Sequence, residues 1–371
     1  MVALCLAVCL PCLAQKQATP KKPRPVYLRR ERTILLLGKA PFRNIGVNLP
    51  TLFSDCLQDN TKPVEELLVR AKAAGVRFVR CSRILGSAES LRLLEAAPER
   101  WHAAFARTLT LTDAQGLYLV PTLLPRYDTL ISAFESPTPS GSAVNSLMQQ
   151  GGERNNRIVS AVRAIVTRHK DDTRILFWEV ADGWNREAEE PNKPTTDAIA
   201  QFLTQMATAI KQSDKKHLVS SGSAEVRPDA SHRKDKKAGS DSFTEYTALL
   251  AEMNPVPLDF VSVQQYPPGE ESPLWLVRID DAALVLPWTR TAAEGTNRPL
   301  FVAEFGSRNP FVANTASTKW LTDFLKRLQA GMAPLACIAQ SDFEDTETVR
   351  LLAEANASIL VEVTAESQSR R

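Results

Sequence analysis

Eight short apolar runs, separated by longer amphipathic segments, limit most strongly what this chain can fold into. Each run is rich in Val, Ile, Leu or Phe, and most lack the polar–apolar alternation of a strand with one wet face. This composition predicts strands that are buried on both faces. The runs are residues 44–48, 76–81, 117–122, 174–181, 217–221, 258–266, 299–305 and 335–340.

Helical segments lie between these runs. Apolar residues recur with helical spacing in residues 63–74, 153–169, 197–211 and 316–330. Strands that alternate with helices predict an α/β fold with a parallel sheet, and eight repeats favour a (β/α)8 TIM barrel. No Gly-rich phosphate loop follows any of the runs, which argues against an open, doubly wound sheet.

The N-terminal region differs from the rest of the chain. Residues 2–14 are one apolar run, too short to span a bilayer, which is typical of an export signal. Two alternatives are a lipoprotein leader acylated at Cys9 and a buried N-terminal element. Residues 15–32 are basic and Pro-rich and predict a linker. The predicted organisation is therefore a leader (1–14), a linker (15–32) and a single domain (33–365), in a secreted, periplasmic or cell-envelope protein.

Composition narrows the class of ligand. The 371 residues carry a net charge of only +3, with the basic excess at the two ends, so the domain suits a neutral substrate better than nucleic acid. Outside the leader, the three cysteines (Cys56, Cys81 and Cys337) show no metal-ligand spacing, and the four histidines are scattered. We therefore predict no metal and no cofactor.

Three long segments without periodicity follow the third, fifth and sixth runs. They are residues 126–152, 223–242 and 267–274. In a barrel, loops that follow strands collect at the C-terminal face, where active sites lie. The sequence thus predicts that the functional site is at that face.

Five motifs resemble those of glycoside hydrolase family 5 and its clan A relatives. They are residues 36–48 (LLGKAPFRNIGVN), 74–80 (AGVRFVR), 178–183 (WEVADG), 259–266 (DFVSVQQY) and 299–306 (PLFVAEFG). Their order matches strands one, two, four, six and seven of that family, and the resemblance covers about residues 33 to 345. It implies a TIM barrel that performs retaining hydrolysis of a β-linked oligo- or polysaccharide of the β-glucan or β-mannan type.

The resemblance assigns roles to several residues. It makes Glu304 the nucleophile, Tyr266 its hydroxyl partner and Arg80 an active-site cation, and it places Asn48 at the substrate site. Chemistry supports the first role, because a carboxylate at the end of a barrel strand is costly to desolvate and so usually has a function. A structural ion pair between Glu304 and Arg80 is the alternative, and the two roles are compatible.

The fourth motif departs from the family, whose strand ends in Trp-Glu-x-x-Asn-Glu. Here the acid/base glutamate falls on Gly183, which has no side chain. Asp182 is the candidate replacement acid, or it replaces the family's sugar-binding Asn. Glu179 is a candidate substrate-binding residue that is expected deeper in the barrel, and Glu187 and Glu189 lie in the loop that follows.

Two further departures concern substrate binding. Gln264 stands where the family has His, and the eighth run lacks the Trp that stacks under the sugar. Trp178 and Trp184 are candidate substrate-binding residues near the altered motif, because aromatic faces bind neutral sugars. Trp275 and Trp288 are further candidates for the missing platform.

Two functions are left open by these residues. One is a retaining glycoside hydrolase with a rebuilt acid/base. The other is a non-catalytic barrel that binds a carbohydrate or a protein partner after loss of the acid/base Glu. An unrelated barrel esterase or aldolase is disfavoured, because the chain has no Gly-x-Ser-x-Gly and no Lys at the strand ends.

Overall fold

The structure is a computed structural model that describes residues 25–134, 141–267, 285–310 and 317–369. The strands are β1 (Leu28–Glu31), β2 (Ile34–Leu37), β3 (Ala40–Pro41), β4 (Asn44–Asn48), β5 (Phe78–Cys81), β6 (Tyr118–Pro121), β7 (Trp178–Glu179), β8 (Val219–Ser220), β9 (Val261–Gln265), β10 (Leu300–Phe305) and β11 (Leu335–Ile338). The helices are α1 (Leu52–Leu57), α2 (Lys62–Ala73), α3 (Ala88–Ala96), α4 (Pro98–Ala114), α5 (Tyr127–Phe134), α6 (Gly141–Met148), α7 (Glu153–His169), α8 (Thr196–Ser213), α9 (Ala230–Lys234), α10 (Phe243–Glu252), α11 (Val285–Gly295), α12 (Thr318–Gln329), α13 (Gln340–Phe343) and α14 (Thr346–Ser369).

Strands β4 to β11 coincide with the eight predicted runs and follow the strand order of a TIM barrel. Six of them form one parallel sheet in the order β6-β5-β4-β11-β10-β9, and β7 pairs with β8. Isolated bridges join Leu119 to Ile175 and Thr122 to Glu179, next to β6 and β7. Between β8 and β9, the Asp259 amide donates to the Val219 carbonyl (2.8 Å). The α/β TIM-barrel prediction is therefore confirmed. Among the described strands, the pairing of neighbours is sparsest between β6 and β7 and between β8 and β9.

Helix signals in the sequence also act as expected. The Thr195 hydroxyl accepts from the Ala198 amide (3.2 Å) and begins α8, which buries one apolar face that includes Phe202 and Met206. Ser242 and Glu245 form a capping box at the start of α10. These contacts satisfy helix N-terminal amides and fix where two barrel helices start.

The core has two layers. Rings of Phe177, Phe260 and Phe301 meet inside the barrel, with centroids 4.6 and 5.1 Å from that of Phe177. A larger apolar layer lies between the strands and the helices. Because side chains alternate along a strand, this arrangement tells which residues face inward. The three cysteines in the described chain are buried and free.

Part of the predicted linker is instead a strand. Residues 28–31 form β1, which pairs antiparallel with β2, and Leu28 and Leu35 of this hairpin pack into the inner core. The linker prediction is therefore wrong for these residues, because Leu28 finds an apolar surface at the base of the barrel. The leader (1–14) and Cys9 lie outside the described residues.

Two of the predicted non-periodic segments contain helices. Residues 126–152 include α5 and α6, and residues 223–242 include the short α9. Of residues 267–274, all but the first lie outside the described residues. No helix in the part of the chain that the structure describes is long and apolar enough to cross a membrane.

Gly222 marks a tight contact between the ends of β7 and β8. Its φ is +71°, and a Cβ built on it would lie 1.7 Å from the Ala181 carbonyl oxygen. Gly116 has the same φ of +71°, but a Cβ there would meet nothing within 4 Å. A comparison of the two glycines therefore separates the cost of backbone strain, which both share, from the cost of a steric clash, which only Gly222 adds.

We expect Gly116→Ala to lower the free energy of unfolding by about 1–2 kcal/mol, the cost of a left-handed L residue. Gly222→Ala should cost at least about 3 kcal/mol, since overpacking against rigid backbone is added to the same strain. Urea unfolding of both variants measures the difference. Equal costs would contradict the contact.

Candidate active site

Arg80 lies at the centre of the C-terminal mouth of the barrel. It follows the inward-facing Phe78 by two residues on β5, so its side chain also points inward, and it is completely buried. Its guanidinium forms ion pairs with Glu179 (2.6 Å), Asp182 (2.9 Å) and Glu304 (3.4 Å). Burial opposes the charge, but the three carboxylates outweigh it and raise the pKa of Arg80 well above its usual range.

Glu304 reaches this cluster through a β-bulge in β10. Val302 pairs with Val263, but Glu304 pairs with Gln264, so β10 carries one extra residue at this point. Without the bulge, Glu304 would share the outward face of Val302. The irregularity turns the carboxylate into the barrel, in register with Gln264.

Three donors fix the Glu304 carboxylate. Asn48 Nδ2 and Arg80 donate to Oε2, and the Tyr266 hydroxyl donates to Oε1. Burial raises the pKa of Glu304, while Arg80 acts to lower it. The side chain keeps 18% of its exposure, so the carboxylate is held in one orientation yet open to the mouth.

Asn48 keeps one unused polar atom. Its Oδ1 is buried and has no hydrogen-bond partner within the described part of the chain. A buried acceptor left without a donor is costly, so it is a natural contact for a ligand hydroxyl beside Glu304.

Asp182 and Gln264 form the opposite wall. Asp182 Oδ1 accepts from Arg80 (2.9 Å) and from Gln264 Nε2 (2.7 Å). The next residue, Gly183, has a φ of +63°, and a Cβ built on it would lie 3.0 Å from Gln264 Oε1. The position onto which the motif resemblance places the acid/base residue therefore has no side chain and borders Gln264.

Glu179 lies beneath the other carboxylates, as the sequence predicts. It is fully buried and accepts from Arg80 Nε (2.7 Å) and from the Thr122 hydroxyl (2.6 Å). Burial raises its pKa against the lowering by Arg80. Glu179 supports Arg80 from below and is closed to ligands, so its prediction as a substrate-binding residue is wrong, because its side chain is fully buried.

Arg186 is a site residue that the sequence analysis missed. Its Nη2 donates to Gln264 Oε1 (2.5 Å), and its guanidinium carbon lies 5.9 Å from the centre of the Tyr266 ring. The Arg186 amide donates to the Gly183 carbonyl (3.2 Å), so a tight turn returns the side chain to the mouth. The sequence feature that could have indicated this residue is an arginine three positions after Gly183, the last residue of the altered motif.

Two predicted substrate-binding residues face the helices instead. Trp178 is fully buried and donates to Asp214 Oδ2 (2.9 Å). Trp184 is 2% exposed, stacks on Phe202 (4.6 Å) and donates to the Pro125 carbonyl (2.7 Å). Both predictions are wrong, and alternation explains the first, because Phe177 and Glu179 face inward and Trp178 must face outward.

Of the two other candidate platforms, one lies among the described residues. The ring of Trp288 packs against Phe243, with centroids 5.2 Å apart. Trp275 lies outside the described residues.

Both loop glutamates have partners in their own loop or in the helix that follows it. Although burial opposes it, hydrogen bonds from Lys193 and Tyr127 lower the pKa of Glu187 to about 2. Glu189 accepts from the Thr196 amide (2.7 Å) at the start of α8. The residues that the structure describes also contain no cluster of three His, Cys, Asp or Glu that could hold a metal ion.

Solved structures of other proteins share the fold of this chain. The endo-1,4-β-mannanase of Rhizomucor miehei superimposes with a TM-score of 0.66 at 14% identity, covering 90% of this chain and 99% of that one. A glycoside hydrolase family 5 mannosidase of the same organism gives 0.64 at 14% identity (92% and 98% covered). The β-mannanase of the blue mussel Mytilus edulis gives 0.60 at 12% identity (90% and 97% covered).

The chain has the fold of family 5 mannanases. The resemblance stated from the motifs is thus confirmed at the level of fold. One curated relative, mannan endo-1,4-β-mannosidase 7 of Arabidopsis thaliana, is 30% identical over 150 residues, which are 37% of this chain and 31% of that protein. The alignment thus spans about a third of that relative's length. No family model matches the chain.

The ion pair between Arg80 and Glu179 should control stability. Arg80→Met leaves a buried carboxylate without its cation, which typically costs about 3–5 kcal/mol. Without Arg80, burial raises the pKa of Glu179 in the folded variant above its value in the unfolded chain. Between these two pKa values, the folded chain holds a proton that the unfolded chain has released. The free energy of unfolding of Arg80→Met should therefore fall as pH rises above the ordinary pKa of a glutamate.

Chemical unfolding at several pH values tests this, with Arg80→Met/Glu179→Gln as the control. The double variant should recover part of the stability and lose the part of the added pH dependence that comes from Glu179, while Asp182 and Glu304 lack Arg80 in both variants. Identical pH profiles for the single and double variants would contradict the pairing.

Proposed function

We propose that the mouth of the barrel binds a β-linked saccharide of the β-mannan type and that Glu304 is the nucleophile of a retaining glycoside hydrolase. The observation that carries this proposal is the Glu304 carboxylate, which three donors hold and which stays open to the mouth. The names of the similar structures, all mannanases or mannosidases, favour mannan over other glycans.

The neighbours of Glu304 suit the first half of retaining catalysis. Attack on the anomeric carbon requires a charged carboxylate, which Arg80 favours at 3.4 Å. Tyr266 binds Oε1 and Asn48 binds Oε2, so the carboxylate is held in one rotamer. Either oxygen can therefore approach the anomeric carbon without a side-chain rotation. The Oδ1 of Asn48 then accepts a hydrogen bond from a sugar hydroxyl.

Both steps of the reaction lack the usual acid/base group. Retaining hydrolysis uses a carboxyl about 5–5.5 Å from the nucleophile, first as acid and then as base. Gly183 has no side chain, Glu179 is buried below, and the Asp182 oxygen that faces the cluster binds Arg80 and Gln264. We therefore assign Asp182 to positioning and infer that substrates with leaving groups that depart unprotonated are preferred.

Two alternatives stay distinct from this proposal. In one, Asp182 is the acid, as the sequence analysis first expected, and unactivated mannan is hydrolysed. In the other, the barrel binds carbohydrate without reacting, which the empty position at Gly183 favours.

A mechanism-based inhibitor tests the nucleophile. A 2-deoxy-2-fluoro-β-mannosyl fluoride should add one fluoromannosyl group to the parent protein, as seen by intact mass, and Glu304→Gln should abolish this labelling. Labelling should increase with pH and have its midpoint above the ordinary glutamate pKa, since burial raises the pKa of Glu304 and only the carboxylate attacks.

Glu187→Gln is the matched control, because Glu187 lies on the rim without touching Glu304. The Glu187→Gln protein should be labelled as fast as the parent. Labelling that persists in Glu304→Gln would remove Glu304 from the mechanism. If the inhibitor does not label the parent, but mannan raises the melting temperature of the parent, the non-catalytic alternative is supported.

Leaving-group dependence tests the missing acid. General acid catalysis is worth about 10²–10⁴-fold and matters most for poor leaving groups. The parent should therefore hydrolyse dinitrophenyl β-mannoside while leaving β-1,4-mannotriose intact, and Asp182→Asn should keep the dinitrophenyl activity within about tenfold. Mannotriose hydrolysis by the parent that Asp182→Asn removes would instead make Asp182 the acid.

A further inference from the structure

Arg186 brings a cation to the place where the family carries its acid. A Cβ built on Gly183 would lie 3.6 Å from Arg186 Nη2, so the guanidinium borders the space that a longer side chain would fill. Its contacts with Gln264 and the Tyr266 ring place it on the same wall as the hydroxyl that binds Glu304. An arginine stays protonated throughout the physiological range.

The charge of this wall changes during the proposed reaction. Before it, Arg80 pairs with the carboxylates of Glu179, Asp182 and Glu304, and Arg186 lies on the same wall against Gln264 and Tyr266. When Glu304 becomes an ester, one negative charge disappears from beside Arg80. The glycosylated site is therefore more receptive to an anion than the free site.

The missing glutamate would have moved a proton twice, to the leaving oxygen and from the attacking water. Both transfers become unnecessary if the leaving and attacking group is already a stable anion. Phosphate meets this requirement, and its oxygens match the donor fork of a guanidinium.

We propose that a phosphate group binds beside Gly183, held by Arg186, and that Glu304 exchanges a glycosyl group with phosphate. This inference rests on the proposed function, since it needs the glycosyl-enzyme at Glu304. In one direction a phosphate oxygen forms a bond to the anomeric carbon, and the ester bond breaks with its electron pair returning to the Glu304 carboxylate. In the other, Glu304 attacks a β-glycosyl phosphate and phosphate leaves with the bonding pair. No proton transfer is needed in either direction.

The test starts from the full chain labelled with the fluoromannosyl group. Its release is followed by intact mass in inorganic phosphate, azide, acetate, methanol or chloride at equal ionic strength. Phosphate should accelerate release at least about tenfold over chloride, saturably, as expected for hydrogen bonds to a charged group. Phosphorus NMR should show the β-fluoromannosyl phosphate. Because the free site carries more negative charge, phosphate should not slow the initial labelling.

Variants assign the effect to the guanidinium. Arg186→Gln should lower the phosphate acceleration about tenfold while its azide acceleration changes less, and Arg186→Lys should retain part of it. Arg126→Gln is the matched control, because Arg126 pairs with Asp128 and Glu187 on the same rim. It should leave the phosphate effect within about twofold of the parent.

The outcomes separate the two proposals. A parent that is never labelled overturns the proposed function and this inference together. Normal labelling with no phosphate effect beyond chloride overturns this inference alone. Equal losses of phosphate and azide acceleration in Arg186→Gln, or a larger effect of acetate than of phosphate, also overturn the assignment of a phosphate to Arg186.

Discussion

The buried guanidinium of Arg80 is the interaction on which the site depends. Its side chain is removed from water, and its carboxylate partners come from β7 and the residues directly after it and from β10. A charge in such a place is stable only with partners, and the partners in turn need it. Glu179 below, Asp182 to one side and Glu304 above are therefore held in one arrangement, so the site is built before any ligand arrives.

Much of the fold could be predicted because parallel barrel strands are buried on both faces and therefore appear as plain apolar runs. All eight runs became strands in the expected order, and α7 (Glu153–His169) has the predicted bounds. Residues 28–31 were misjudged because a basic, Pro-rich stretch hides one leucine that packs under the barrel. The tryptophans were misjudged because sugar-binding and core tryptophans look alike in a sequence, although strand alternation could have assigned Trp178.

The site itself was only partly predictable. Arg80, Asp182, Tyr266 and Glu304 were expected together because each ends a strand, and the structure brings them together. Simple alternation would have placed Glu304 with the outward-facing Val302, and the bulge that reverses this has no local sequence signal. Arg186 was missed because its place depends on the turn after Gly183, and a turn of this kind depends on backbone geometry rather than on a motif.

The left-handed backbone at Gly183 also bears on how this chain could change over generations. A mutation that simply restored glutamate there would put an L side chain into a strained conformation, against the amide of Gln264 and the guanidinium of Arg186. A glutamate at position 183 would require Gln264 and Arg186 to move, and the backbone strain would remain whatever space they left. The backbone turn after the fourth strand thus sets how readily this position could gain an acidic side chain.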